Sequence, residues 1–180
     1  MVASRLLLDS EQVRRSLVRI AHEILENSGG NPDLVMIGLQ TRGVPLARRL
    51  SSLIAELKGQ APPVGSLDIG LYRDDIYAGK RPRMRPTSIP VSVEQQKVVL
   101  VDDVLYTGRT IRAAMDALSD FGRARQIQLA VLVDRGHREL PIRPDYVGKN
   151  IPTAAREGIR VRLNEIDSVD EVILIQKGPV

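Results

Sequence analysis

The sequence predicts an α/β fold in which a mostly parallel, twisted sheet is flanked by helices. Two observations lead to this prediction. Short runs that are almost wholly apolar, as in strands buried on both faces, alternate with longer segments whose apolar residues recur at helical spacing. The length of 180 residues suits one domain, so we expect residues 1–180 to fold as a single unit.

The first predicted elements are an amphipathic helix and a strand. Asp9 and Gln12 have the spacing of a capping box, which marks the start of a helix. The apolar positions that follow recur three or four residues apart until Gly29, and they are Val13, Leu17, Ile20 and Ile24. The apolar run 34–39 then predicts the first strand.

A second helix, a second strand and a long loop come next. Pro45 in the first turn and Gly59 beyond the end frame a helical pattern whose apolar positions are Leu46, Leu50, Leu53 and Leu57. Alternation with polar residues predicts a strand through Leu67, Ile69 and Leu71. The stretch from Asp74 to Pro90 has no periodicity, and loops of this length in compact domains are usually lids or disordered segments. We therefore expect a flexible loop over residues 73–90.

The second half of the chain predicts further strands and an irregular segment. The run Val98 to Val101 predicts a third strand, and a helix that ends at Gly122 follows it, carried by Ile111, Ala114, Leu118 and Phe121. Residues 127–133 predict a fourth strand, and residues 172–176 predict the last one. Residues 138–165 are rich in Pro, Gly, Arg and Lys and predict irregular structure.

The composition excludes several kinds of site and is compatible with anionic partners. Without cysteine the chain has no disulfide, thiolate zinc site or cysteine nucleophile, and its two histidines exclude a histidine-rich metal site. The net charge of +4 is compatible with phosphates or nucleic acid as partners. The apolar runs are far shorter than the roughly 18 residues of a membrane span, so we expect a cytoplasmic protein.

The segment Val98 to Thr110 carries the strongest functional signal. Its apolar run stops at two adjacent carboxylates, Asp102 and Asp103, and a Thr-Gly-Arg-Thr turn then opens a helix. Helix N-termini bind phosphates through backbone N–H groups, and carboxylates accept hydrogen bonds from sugar hydroxyls or bind Mg²⁺. The segment therefore predicts a sugar-phosphate site, although a capped, solvated strand end would also place two carboxylates here.

Polar clusters also follow the other predicted strands, after Leu39, Tyr72 and Val133. Ligands of parallel sheets bind outside the carboxyl ends of the strands, so we expect these clusters to converge on one crevice. Arg42, in the loop after the first strand, is the candidate for a second phosphate contact. The Thr-Arg-Gly sequence around it would also suit an ordinary turn.

The segment Val98 to Thr110 resembles the signature of type I phosphoribosyltransferases, which use phosphoribosyl pyrophosphate. The resemblance implies a mobile lid, a small irregular hood over the base at about residues 134–165, and Mg²⁺ as the cofactor. It implies that Asp102, Asp103 and Arg42 are catalytic, with the two aspartates meeting Mg²⁺ mostly through substrate and water. The implied substrate-binding residues are Thr41, Arg42, Arg85, Asp102, Asp103, Val104, Leu105, Tyr106, Thr107, Gly108, Arg109, Thr110, Arg135 and Ile159.

Residues 14–24, 71–75 and 134–153 resemble one branch of that family, which combines uracil phosphoribosyltransferase activity with UMP-dependent attenuation of pyrimidine-operon transcription. Membership of this branch implies that the protein converts uracil to UMP, binds a stem-loop in pyrimidine-operon leader mRNA, and forms a homodimer or homotetramer. The implied RNA-binding residues are Arg15, Arg19, His22, Thr41, His137, Arg138, Arg143 and Lys149. Thr41 belongs to both sets and would link the nucleotide pocket to the RNA surface. Val18 stands where members of this branch carry threonine, so one hydroxyl contact would be missing.

Other interpretations remain open from the sequence. Arg15, Arg19 and His22 share one helical face, which an ordinary solvated basic face would also produce. The chain would then be a phosphoribosyltransferase for another base without RNA binding. Alternatively, it is an RNA-binding nucleotide sensor with vestigial catalysis. A receiver or phosphatase-like domain also has a strand-end aspartate, but it predicts a downstream lysine rather than a Thr-Gly-Arg-Thr turn.

Overall fold

The computed structural model describes residues 4–30, 33–72 and 85–176. In chain order its elements are β1 Ser4–Leu8, α1 Ser10–Ser28, β2 Leu34–Leu39, α2 Gly43–Lys58, β3 Val64–Leu67, β4 Lys97–Leu105, α3 Arg109–Ser119, β5 Gln126–Asp134, β6 Tyr146–Asn150, β7 Glu157–Arg162, α4 Asn164–Asp167 and β8 Glu171–Gln176. Five strands form a parallel sheet in the order β3-β2-β4-β5-β6. The other three form an antiparallel sheet in the order β1-β8-β7, which we call the hood sheet.

The parallel sheet lies between two hydrophobic cores because alternate residues of its strands point to opposite faces. Met36 of β2 belongs to the core formed with the apolar faces of α1 and α2. Its neighbour Ile37 belongs to the core formed with α3. The predicted parallel sheet with helices on both faces is therefore confirmed.

Helix α1 begins and ends where the sequence predicts. The Asp9 side chain accepts a hydrogen bond from the backbone N–H of Gln12 at 2.8 Å, and the Gln12 side chain accepts one from the N–H of Asp9 at 3.0 Å. This is a complete capping box. Gly29 ends the helix in the left-handed conformation, and α2 ends in the same way before Gly59.

The second strand is shorter than the alternation of apolar residues predicts. β3 ends at Leu67, so Ile69 and Leu71 lie beyond it. The Asp68 side chain accepts a hydrogen bond from the backbone N–H of Gly70 at 2.9 Å, which turns the chain away from the sheet. Leu71 is consequently 70% exposed.

The expectation of irregular structure over residues 138–165 is only partly correct, since residues 138–145 and 151–156 have no helix or strand but two strands lie between and after them. β6 lies there and pairs with β5 at the edge of the parallel sheet, and β7 pairs with β8 in the hood sheet. β1, which the sequence pattern also did not predict, completes the hood sheet by pairing with β8. Each of these strands has only five or six residues, too few for a clear alternating pattern.

Most of the expected flexible loop, residues 73–84, lies outside the described residues. In its described part, Ser88 forms an antiparallel bridge with Ser66 of β3. No helix in the described part of the chain combines the length and the apolar character needed to cross a membrane.

Candidate functional site

The candidate site lies at the carboxyl ends of three adjacent strands, β2, β4 and β5. One detail differs from the sequence prediction, because β4 continues to Leu105 and so contains Asp102 and Asp103 instead of stopping before them. Pairing between β4 and β2 ends at Val101, whereas pairing between β4 and β5 continues through Asp102. The two carboxylates therefore lie at the point where β4 diverges from β2.

The carboxylates of Asp102 and Asp103 are held by the backbone of their own strand. Asp102 is only 8% exposed, and its Oδ1 accepts a hydrogen bond from the N–H of Asp103 at 2.9 Å. Oδ1 of Asp103 accepts one from the N–H of Val104, also at 2.9 Å. Burial raises the pKa of Asp103, and a hydrogen bond with Asp102 and the charge of Arg42 only partly oppose the rise. Hydroxyl donors or a cation in front of this pair would therefore be bound favourably.

The next segment forms a turn into a helix, as predicted for a phosphate site. Residues 106–108, which we call the phosphate loop, lead into α3 at Arg109. Gly108 has φ of +93° and precedes the first turn of α3, where backbone N–H groups point out of the helix. The carbonyl oxygen of Thr107 accepts hydrogen bonds from the N–H groups of Glu139 and Leu140 at 3.0 and 3.1 Å, which fixes the loop. The Arg109 side chain donates to Glu139 at 2.6 Å.

The loop between β2 and α2 places Arg42 at the same edge of the sheet. The peptide bond between Gln40 and Thr41 is cis. Arg42 is the residue directly before the first turn of α2. The Arg42 guanidinium pairs with Asp167, with Nη2 at 2.8 Å from Oδ1. A Cβ on Gly43 would lie 2.2 Å from the carbonyl oxygen of Val101, so the start of α2 packs directly on β4.

Arg135 is buried beside the phosphate loop. It is 5% exposed, and its guanidinium carbon lies 4.0 Å from the centre of the Tyr106 ring. Its Nε donates to Oγ1 of Thr153 at 3.1 Å, and its Nη2 donates to the carbonyl of Glu157 at 2.8 Å. Arg135 thus connects the phosphate loop to the start of β7, the strand that carries Ile159. Arg85, the other basic residue predicted to bind substrate, is exposed, and its backbone N–H donates to the Asp68 carboxylate.

The residues predicted to bind RNA come from two parts of the fold that meet at β6. Arg15, Arg19 and His22 are exposed on α1. Nη2 of Arg19 donates to the carbonyl of Val147 in β6 at 3.0 Å and also to the next carbonyl, of Gly148. The exposed face of α1 is therefore adjacent to the strand that carries Lys149.

A cleft of about 710 Å³ opens beside this strand. His137, Arg138 and Arg143 line it together with apolar residues, which are Pro144, Val147 and Pro152. We call this cleft, the exposed face of α1 and Lys149 the basic surface. It collects seven of the eight residues predicted to bind RNA; the eighth, Thr41, lies in the loop after β2.

Two contacts join the phosphate loop to the basic surface. The rings of Tyr106 and His137 meet edge to face, with their centres 5.9 Å apart. Nη1 of Arg138 donates to the carbonyl oxygen of Tyr106 at 2.8 Å, and Nε donates to the carbonyl of Ile142 at 2.8 Å. The sequence predicts that Thr41 links the nucleotide pocket to the RNA surface. The structure offers Tyr106 as another residue that could make this link.

The donor set at the site suits Mg²⁺ bound together with a substrate. Among the described residues, no group of three or more His, Cys, Asp or Glu side chains could hold a metal ion by itself. Two adjacent carboxylates are nonetheless the usual protein contribution to Mg²⁺, which keeps several waters and binds substrate phosphates. Asp102 and Asp103 would fill that role, and their oxygens are the hard donors that this ion prefers.

Sequence reasoning missed the anchors of the site. Asp167 pairs with Arg42 from 125 residues away, and Glu139 holds Arg109. No local pattern identifies either residue, because both contacts depend on how distant segments pack.

Comparisons with known proteins identify the family. The model of the phosphoribosyl transferase domain matches residues 6–166. The bifunctional protein PyrR of Chloroflexus aurantiacus is 57% identical over 171 residues, which cover 94% of this chain and 94% of that protein. The bifunctional protein PyrR of Halalkalibacterium halodurans is 55% identical over 177 residues, covering 97% and 98% of the two chains.

Solved structures show the same fold at low identity. Hypoxanthine phosphoribosyltransferase of Trypanosoma cruzi has a TM-score of 0.73 at 18% identity and covers 97% of each chain. That of Staphylococcus aureus has a TM-score of 0.70 at 20% identity, covering 96% of this chain and 92% of its own. These two structures are similar to this chain in fold, and the PyrR proteins are similar in sequence over almost its whole length.

Proposed function

The chain belongs to the phosphoribosyl transferase family and, within it, to the group of bifunctional PyrR proteins, and we propose that it converts uracil and phosphoribosyl pyrophosphate to UMP and pyrophosphate. The observation that carries this proposal is the placement of Asp102 and Asp103 beside the phosphate loop at one edge of the sheet. Carboxylates suit the two ribose hydroxyls, and the start of α3 suits the 5′-phosphate. One ribose 5-phosphate could contact the two carboxylates and the start of α3 at the same time.

The reaction asks the protein mainly to position its substrates. The bond between the anomeric carbon and pyrophosphate breaks, a bond between that carbon and N1 of uracil forms, and the N1 proton is released. Asp102 and Asp103 hold the ribose hydroxyls, and the N–H groups at the start of α3, with the hydroxyls of Thr107 and Thr110, hold the 5′-phosphate. Arg42 meets the departing pyrophosphate and offsets its charge. Asp102 and Asp103 would hold Mg²⁺, mostly through substrate and water, and the ion would supply charge stabilisation for the pyrophosphate.

The base would bind between the hood sheet and the loop after β5. Ile159 of β7 would offer an apolar contact, and Arg135 is fixed at the start of the same strand through its contacts with Thr153 and Glu157. The uracil edge would be recognised by backbone groups of this region. We propose that the loop expected over residues 73–90, of which residues 85–90 are described, excludes water during transfer and that Arg85 binds substrate there.

The second proposed function is binding of the leader RNA of a pyrimidine operon as a UMP-responsive attenuator. The basic surface supports it, since the exposed arginines and the histidine on α1, with His137 and Arg143 at the cleft, suit phosphates and unpaired bases. Arg138 is half-buried and pairs with Asp134, so it shapes the cleft. The contact between Tyr106 and His137 supports the response to UMP, because a phosphate bound at the loop would act directly on a residue of that surface. We propose that the chain acts as a homodimer or homotetramer.

Two assays test these functions separately. Release of pyrophosphate that depends on uracil and Mg²⁺ tests the transferase, with hypoxanthine in place of uracil as the control for base choice. A mobility assay with the pyrimidine-operon leader RNA tests the regulator. If the protein binds the RNA but shows no turnover, it is a nucleotide sensor with vestigial catalysis. If it turns over another base and does not bind the RNA, it is a phosphoribosyltransferase of different specificity.

A further inference from the structure

We propose that Asp167, at the end of α4, is a positioning residue that holds Arg42 for its contact with pyrophosphate, an inference that rests on the transferase function proposed above. The carboxylate engages the guanidinium through several contacts. Nη2 of Arg42 lies 2.8 Å from Oδ1 and 3.0 Å from Oδ2, and Nε lies 3.3 Å from Oδ2. The pair therefore ties the loop after β2 to the segment that follows β7.

The geometry leaves Arg42 able to meet an anion while it is held. A guanidinium carries five N–H donors in a planar fork, and the contacts with Asp167 use Nε and Nη2. The Nη1 group is the end that remains to meet a phosphate oxygen. Gly43, the next residue, packs against β4, where a Cβ on it would lie 2.2 Å from the carbonyl oxygen of Val101 and 3.4 Å from Cα of Asp102, so Arg42 lies beside the carboxylate pair.

The carboxylate of Asp167 is itself fixed before any substrate arrives. Its Oδ2 accepts a hydrogen bond from the backbone N–H of Leu163 at 3.0 Å, and its side chain is only 19% exposed. Arg42 is 30% exposed, so without this partner its long side chain would sample several rotamers at the mouth of the site. Holding one such side chain in place before binding changes affinity by about twofold to tenfold.

A neighbouring ion pair provides a matched control. Asp170 accepts hydrogen bonds from Arg49 of α2, with Nη2 at 2.7 Å from Oδ1, and from the backbone N–H of Asn164 at 2.8 Å. It thus resembles Asp167 in joining α2 to the same short segment, with side-chain exposures of 22% for Arg49 and 23% for Asp170. Arg49 lies two turns into α2, whereas Arg42 lies at its start beside the site. Arg49 also donates to Glu165 of the same segment, with Nη2 at 2.5 Å from Oε2, so loss of Asp170 weakens this connection without freeing Arg42.

The experiment compares Asp167→Asn with Asp170→Asn in the full-length protein. We expect Asp167→Asn to raise KM for phosphoribosyl pyrophosphate and Kd for magnesium pyrophosphate, measured by calorimetry, by about twofold to tenfold. KM for uracil should stay at the wild-type value, and Asp167→Glu should recover part of the loss. Asp170→Asn should leave both pyrophosphate constants unchanged, and it should lower Tm less than Asp167→Asn does because Glu165 still holds Arg49.

A double variant guards against a purely structural effect. If Asp167 acts through Arg42, adding Asp167→Asn to Arg42→Gln should not weaken pyrophosphate binding further. Unchanged or tighter pyrophosphate binding in Asp167→Asn would overturn the inference, and so would an equal effect of Asp170→Asn. Because the calorimetry needs no uracil, a protein without uracil turnover would refute the proposed function while the pyrophosphate comparison still decides the role of Asp167.

Discussion

Replacement of Gly43 by alanine should disable the site through a displacement of about 1 Å. The new Cβ would lie 2.2 Å from the carbonyl oxygen of Val101, where ordinary contacts begin at 3.4 Å. It would also lie 3.4 Å from Cα of Asp102. To relieve the clash, the start of α2, which carries Arg42, must move away from the part of β4 that carries the carboxylates.

The magnitude follows from the size of that movement. Overpacking of this kind costs about 1–3 kcal/mol of stability, which lowers Tm by several degrees in a domain of this length. A misplacement of about 1 Å between groups that act on one substrate reduces kcat/KM by about 100-fold. We therefore expect a folded protein that has lost most of its uracil phosphoribosyltransferase activity.

The control is Gly59→Ala at the other end of the same helix. Gly59 has φ of +81° and no neighbour within 4 Å of a Cβ, so alanine there costs about 1–2 kcal/mol through backbone strain alone. The assays are thermal denaturation and pyrophosphate release on both variants. Comparable losses of stability with activity lost only in Gly43→Ala would support the reasoning. Wild-type kcat/KM in Gly43→Ala would refute it.

Three further predictions concern the carboxylates, the phosphate loop and the basic surface. Because burial raises the pKa of Asp103, ionisation of its carboxyl costs stability as the pH rises above the ordinary carboxyl range. Asp103→Asn should therefore raise Tm at pH 7.5, the gain should shrink as the pH falls into the carboxyl range, and activity should drop; a gain that does not change with pH would contradict this. Tyr106→Leu removes the ring that His137 and Arg135 contact, so a mobility assay should show RNA binding that no longer responds to UMP; a wild-type UMP response would contradict this. Arg15→Gln should reduce the slope of log affinity for leader RNA against log salt concentration by about 1. Arg14→Gln removes a similar partner of Glu11 and should leave this slope unchanged. The same slope in Arg15→Gln as in the wild type would argue against a phosphate contact of Arg15.

The sequence was sufficient for four of the five strands of the parallel sheet and for the helices that flank it, because their signals are local. The capping box of Asp9 and Gln12 and the end at Gly29 needed only neighbouring residues, and the four buried residues of β4 directly before Asp102 are all apolar. The phosphate loop was predictable for the same reason, since Gly108 and the start of α3 follow directly in the chain.

The hood sheet could not be predicted because its pairing is not local. β1 and β7 are separated by about 150 residues and meet only through β8, and each is short and partly exposed. The contact between Arg42 and Asp167 depends on that assembly. The alternation of apolar residues through Ile69 and Leu71 predicted a strand that is too long. Here the cause is local, since the Asp68 side chain accepts a hydrogen bond from the backbone of Gly70 and turns the chain away from the sheet.

The central claim is that one pocket makes UMP and reports it to the RNA surface. A titration of leader-RNA affinity with UMP, paired with a titration of UMP affinity with the RNA, tests it most directly. Binding linkage requires that each ligand change the affinity of the other by the same factor. We predict that UMP tightens RNA binding and that RNA tightens UMP binding equally. Equal RNA affinity with and without saturating UMP, when both ligands bind, would contradict the claim.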